Sequence, residues 1–337
     1  MYRRTSASNH LVIGRVIICP YISKSAIVIN DGVYVHLMGI LDRFFRSKTK
    51  EVEIDEPRLS ISELIESAEN GDPEAQFELG GAYHNGAGVP QSYADAFKWF
   101  KMAAENGIVQ ARFNIAYMYV NGIGVPQSYE RGIIHYQKAA EAGDAAAQFN
   151  LGTLYREGKG VPRSHERAAS LYLMAAAQDS SPALFNLGLM YFNGHGVPQS
   201  YEASVKMYQK ASDLGHSHAQ YNLGMMYLEG MGVEQSYAEA AKYFALAAEQ
   251  GHVDAKVNLG VMYDQGLGIE RSPKDAEACF LYASEAGDAV AQFNLATMYE
   301  SGRGIRKSMK KAIRYYTLSA NQGYEDAILA LNRINQK

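Results

Sequence analysis

From Gly71 the chain repeats itself every 36 residues, and seven full repeats fill 71–322 without insertion or deletion. A period of this length marks a repeat architecture, in which each unit buries its apolar face only by stacking on its neighbours. Numbering each repeat from its first residue, position 5 is Ala throughout (Ala75 to Ala327), position 9 is Leu or Ile, and position 13 is Tyr in all seven repeats (Tyr83 to Tyr299). Spacings of four put these residues on one stripe of a helix, helix A. Position 10 is Gly or Ala, small enough to let a second helix approach. Gly at positions 16 and 18 ends helix A, because glycine reaches positive φ without a steric penalty. Pro90, Pro126, Pro162 and Pro198 sharpen the stop.

Position 22 is Ser seven times, from Ser92 to Ser308, and reads as the N-cap of a second helix, helix B. Ser236 with Glu239 has the form of a capping box. Helix B carries a small residue at position 26 (Ala96, Gly132, Ala168) and an aromatic at position 30 (Phe100, Tyr136, Tyr172, Tyr208, Phe244, Phe280, Tyr316). Gly opens the next repeat; Asp179 stands there once and tolerates the left-handed region better than most residues. The sequence therefore predicts an all-α fold: an α/α solenoid, or superhelix, of seven helix-turn-helix repeats with capping helices at both ends. Tyr191 is read as a core residue, with truncation to Ala costing about 3–5 kcal/mol.

The run AQFNLGTLYREGKGVPRSHERAASLYLMAAAQ (147–178) resembles a Sel-1-like repeat, a relative of the tetratricopeptide repeat. The pattern A-x-x-N-L-G-x-x-Y-x-x-G-x-G-V recurs in all seven repeats with no more than two departures in any of them, and the resemblance covers about three quarters of the chain. One departure is Ser at position 22, where the family usually carries Asp; the two are comparable N-caps. The resemblance implies an adaptor that holds other proteins and performs no chemistry. It also implies that helix A lines a concave groove through positions 4, 7, 11, 14 and 15. On that reading Tyr117 and Val120 form one apolar spot, and Leu189, Phe192, Met225 and Leu228 form a second. Arg156 lies between them, and Asp264 and Glu300 lie towards the C-terminal end. An apolar strip with charged flanks suits a peptide or a helix, and Met adapts to varied partners. The competing reading is that these side chains are core.

Residues 59–70 carry Leu59, Ile61, Leu64, Ile65 and Ala68, with Ser60 and Glu63 as a capping box, and read as the N-terminal cap. Residues 323–337 read as a C-terminal cap helix with Asn335 where Tyr would stand. Residues 46–58 read as a charged linker, and 1–45 as a weakly ordered segment. A natural start at Met38 is an alternative. A secretory signal lacks a clean cleavage site, Ile18 before Cys19 does not suit a lipoprotein site, and Arg43 does not suit myristoylation after Gly39.

Net charge is −4, which supplies no basic footprint for nucleic acid. Cys19 and Cys279 cannot form a disulfide framework, and no apolar stretch is long enough to span a bilayer. No P-loop, H-E-x-x-H or G-x-S-x-G motif occurs, and the recurrent G-x-G follows a helix rather than a strand. Cys279 reads as a core thiol; His216, His218 and His252 read as surface residues rather than metal ligands. The Asn row at position 8 (Asn114, Asn150, Asn186, Asn222, Asn258, Asn294) reads as hydrogen bonds tying hairpin to hairpin. No cofactor and no metal are expected. The leading expectation is a cytoplasmic scaffold for a protein or peptide. The alternative is an auxiliary subunit of an enzyme or cell-envelope complex, exported or membrane-tethered.

Overall fold

A computed structural model of the chain describes residues 59–336. The expectations for 1–45, the linker 46–58, Cys19 and the start at Met38 lie outside these residues. Sixteen α-helices and no strands occur among the described residues, so the fold is the all-α solenoid of helical hairpins that the period predicts. In order they are α1 (Ile61–Glu69), α2 (Pro73–Asn85), α3 (Tyr93–Glu105), α4 (Val109–Asn121), α5 (Tyr129–Glu141), α6 (Ala145–Glu157), α7 (His165–Ala176) and α8 (Ser181–Asn193). Then follow α9 (Tyr201–Asp213), α10 (Ser217–Glu229), α11 (Tyr237–Glu249), α12 (Val253–Gln265), α13 (Pro273–Glu285), α14 (Ala289–Ser301), α15 (Met309–Ala320) and α16 (Glu325–Asn335). The described residues fall into two compact units that divide between Ala219 and Gln220.

Each hairpin is closed by the same local bonds. The Ser at position 22 donates its backbone N–H to the carbonyl of the Tyr at position 13, as in Ser164 to Tyr155 (2.9 Å) and Ser272 to Tyr263 (2.9 Å). Its hydroxyl accepts the N–H three residues on, from Asp95, Arg131, Arg167, Ala203, Glu239, Asp275 and Lys311. Those N–H groups would otherwise be orphans of the first helical turn. The side chain at position 21 closes the other strand of the turn. Gln127 donates to the Val120 carbonyl (2.8 Å), Gln199 to Phe192 (2.8 Å) and Arg271 to Asp264 (2.8 Å). Ser60 and Glu63 form the reciprocal capping box. Asp179 is the non-glycine residue at positive φ among the described residues, as its place in the repeat predicts.

Packing within a hairpin centres on the position-30 aromatic. Phe100, Tyr136, Tyr172, Tyr208, Phe244, Phe280 and Tyr316 are all buried. In five hairpins the ring sits against a glycine of helix A: a Cβ on Gly188 would lie 2.4 Å from the Tyr208 ring, and one on Gly260 2.8 Å from Phe280. Hairpin α4–α5 inverts the solution, with Ala116 on helix A and Gly132 on helix B, where a Cβ would meet Val120 at 2.5 Å. The position-7 aromatic flanks the same ring, with centroids 5.7 Å apart for Phe149–Tyr172 and 5.8 Å for Tyr221–Phe244. The position-13 tyrosines are more peripheral than the sequence suggests. Tyr191 is half-buried.

Successive hairpins meet backbone to backbone at the second turn glycine. A Cβ on Gly268 (φ 66°) would lie 2.1 Å from the Tyr237 carbonyl carbon, and one on Gly196 (φ 70°) 2.3 Å from that of His165. A buried amide at position 6 supplies the polar tie. Gln148 donates to the Ala140 carbonyl of the preceding helix B (3.1 Å) and accepts from Gln178 (3.0 Å), which also donates to Gly143 (2.9 Å). Gln292 and Gln322 repeat the pattern, as do Asn106 with Gln76 and Gln250 with Gln220. The intervening hairpins carry Arg112–Ala142, Leu184–Leu214 and Lys256–Ala286 at the same places, so the amide pair appears in every second hairpin. The position-8 asparagines do not carry the tie expected of them. Asn150 bonds within its own helix to Ala146, and the Asn294 amide nitrogen is buried without a partner; Asn258 does reach back, to the Met225 sulfur.

Two measurements check this hierarchy. In urea denaturation, Tyr208→Ala is expected to cost about 3–5 kcal/mol and Tyr191→Ala clearly less. Gln148→Leu should cost about 1–2 kcal/mol by stranding its amide partner, and Gln148→Leu with Gln178→Leu should recover part of that loss. The natural Leu184–Leu214 pair shows that the fold accepts the double replacement.

Candidate functional site

The expected lining consists of positions 11 and 14 of helix A, one turn apart. In the unit ending at Ala219, Tyr117 is half-buried against the core and its ring stacks on Phe113 at 6.5 Å. Burial pushes the Tyr117 hydroxyl pKa up. Val120 also packs against this core and covers Gly132. The Arg156 guanidinium pairs with Glu157 (2.8 Å), which also holds Lys159 (2.8 Å). The Arg156 Nε is buried without a partner. Leu189 and Phe192 are half-buried, and the Phe192 ring lies 5.1 Å from the exposed Tyr201 ring.

In the unit that begins at Gln220 the structure departs from the expectation at three residues. Leu228 is 7% exposed and belongs to the core formed with Ala240 and Phe244. Asp264 is 4% exposed and pairs with Arg303 at 2.5 Å. Burial pushes its carboxyl pKa up, and the Arg303 and Arg271 guanidinium groups only partly oppose this. Glu300 accepts from Arg333 (2.6 Å) and from the Tyr316 hydroxyl (2.7 Å). Both acids are thus engaged inside the array rather than offered as free charged flanks. The physical reason is that each partner comes from the following repeat or from helix B, and position 14 alone does not reveal it. Met225 remains half-buried, its sulfur accepting from the Asn258 amide (3.4 Å).

The candidate chemical groups take structural roles. Cys279 is buried, and burial pushes its thiol pKa up, which disfavours the nucleophilic thiolate. The His216 and His252 imidazoles accept the backbone N–H groups of Ala219 (3.3 Å) and Ala255 (3.4 Å), replacing the Asp N-caps seen at Asp144 and Asp288. Both are half-buried, so they are not the plain surface residues expected. Among the described residues no group of three or more His, Cys, Asp or Glu is placed to hold a metal ion. No described helix is long and apolar enough to cross a membrane.

The burial difference between Phe192 and Leu228 is directly measurable. Phe192→Asp should leave the melting temperature within a few degrees of the parent chain. Leu228→Asp places an unpaired carboxylate in the core and should cost more than about 3 kcal/mol, lowering it sharply. Differential scanning calorimetry of the two variants decides the assignment.

The family model for the Sel1 repeat matches seven times, at 73–108, 109–144, 145–180, 181–216, 217–252, 253–288 and 289–324. Among solved structures, the chain is similar to a protective antigen of uropathogenic Escherichia coli that displays an SLR fold. Identity is 34% and the TM-score 0.78, over 80% of this chain and 58% of the antigen. It is also similar to a Sel1 repeat protein from Oxalobacter formigenes, at 29% identity and a TM-score of 0.64, over 90% of this chain and 91% of that one. No curated protein sequence matches. Sel1 repeat proteins are generally non-catalytic protein-interaction scaffolds. With all seven hairpins matched by the family model, the chain belongs to the Sel1 repeat family.

Proposed function

We propose that the chain is a non-enzymatic adaptor that binds a partner protein or an extended peptide along the helix A face. The observation that carries this reading is the variability of positions 11 and 14 beside structural positions that recur in every hairpin. Caps, turn glycines and position-30 rings recur in every hairpin, whereas these two positions run through Tyr117 and Val120, Thr153 and Arg156, Leu189 and Phe192, and Met225 and Leu228. Leu189 and Phe192 retain apolar surface that the hairpin fold does not require. Apolar surface of this kind suits an apolar segment of a partner, with Tyr201 extending the aromatic spot through its contact with Phe192. Leu228 belongs to the core of its own unit and does not contribute to the lining.

The test is affinity capture from the native cell, with the parent chain, Phe192→Asp, and Leu173→Asp on the exposed face of helix B as bait. Partners held by the parent and by Leu173→Asp should be lost from Phe192→Asp, with all three melting alike. Equal capture by all three variants would remove the helix A face from the binding role.

A further inference from the structure

The seventh hairpin breaks a rule that the other six keep. In α3, α5, α7, α9, α11 and α13 the first turn carries an acid: Asp95, Glu130, Glu166, Glu202, Glu239 and Asp275. A carboxylate there complements the positive end of the helix dipole. In α15 the first turn holds no acid; Lys310 and Lys311 stand there instead, an arrangement that disfavours the helix locally. They belong to the run RGIRKSMKKAIR (303–314), in which six of twelve residues are Lys or Arg. No Asp or Glu occurs between Glu300 and Glu325, although the whole chain has more acids (36) than Lys and Arg (32).

The structure accounts for two of the six cations. Arg303 pairs with Asp264, and Lys311 donates to the Tyr299 hydroxyl (3.0 Å) while lying over its ring. Arg306, Lys307, Lys310 and Arg314 are exposed and form no ion pair among the described residues; Arg314 lies over the Tyr315 ring. The acids that reach this hairpin are already engaged, Glu277 by Tyr299 and Glu300 by Tyr316 and Arg333. Exposed apolar side chains stand among the cations on the same short helix: Met309 and Ile313, 37% and 41% exposed, with Leu318 one turn further on.

We propose that this face of the seventh hairpin docks on an anionic lipid membrane surface. Cations on independent flexible stems attract a diffuse negative surface, each contributing without a fixed geometry. Met309 and Ile313 are placed to enter the headgroup boundary between them, the pattern of a basic interfacial helix. A specific acidic peptide would instead be read by forked, oriented donors, and three of the five cations at 306–314 are lysines, including the engaged Lys311. Lys310, where three other hairpins carry Glu, is exposed and forms no ion pair among the described residues, which fits a residue kept for binding.

The experiment is cosedimentation of the full chain with vesicles of phosphatidylcholine alone or with one third phosphatidylglycerol. The parent chain should pellet with the anionic vesicles only, and high salt should release it. Lys307→Glu with Lys310→Glu and Arg314→Glu should weaken binding by about 10-fold or more. This variant is expected to fold, since Lys310→Glu restores an acid where Glu130, Glu166 and Glu202 stand; circular dichroism melting checks it. Ile313→Ser, which leaves the charge unchanged, should weaken binding severalfold. Equal pelleting with both vesicle types, or a triple variant that pellets like the parent, overturns the proposal. So does Ile313→Ser binding anionic vesicles like the parent while polyglutamate binds the chain and displaces it from them, which would make the patch a site for an acidic protein.

Discussion

The hairpins depend on a large ring from helix B packed where helix A carries only glycine or alanine. A helix pair can approach closely only where one partner lacks side chains at the crossing, and an aromatic from the other then fills the space. The contact of Tyr208 with Gly188, and of Phe280 with Gly260, is this arrangement, and it fixes the separation of the two helices. Once that separation is set, the serine-to-tyrosine backbone bond and the position-21 side chain fall within reach of their partners. Hairpin α4–α5 shows that the glycine's address can change: Ala116 stands on helix A, Gly132 on helix B takes the close approach of Val120, and Tyr136 stays buried.

The repeat period, the helices and their caps were legible because each is a local matter. A serine before an apolar run finds its own N–H three residues on, whatever surrounds it, and all seven do so. Asp179 at positive φ was legible for the same reason. The burial of the position-30 ring was legible from its constant aromatic character. The extent of burial at position 13 was not, since Tyr155 is buried and Tyr191 only half-buried although both occupy the same place in the repeat.

The lining was less legible, because its character is decided between repeats. Asp264 looks like a free acid until Arg303 arrives from position 17 of the next repeat, and Glu300 until Arg333 arrives from α16. Leu228 resembles Phe192 in sequence place and polarity, yet one is core and the other is partly open. The amide tie offered a usable signal that a search for invariant positions passes over. Positions 6 and 36 vary together, Gln with Gln or Asn in one hairpin and then Leu184 with Leu214 or Lys256 with Ala286 in another. Correlated change thirty residues apart is what a direct side-chain bond produces.

That correlation gives the array a longer grammar than its backbone. The helices count in units of 36 residues, but the amide pairs alternate and so count in units of 72. Removing or adding a single hairpin would leave every ring and cap satisfied while setting two like neighbours side by side; removing or adding two would preserve the alternation. The natural module for lengthening, shortening or grafting this scaffold is therefore the double hairpin, one member with the polar clasp and the other without it.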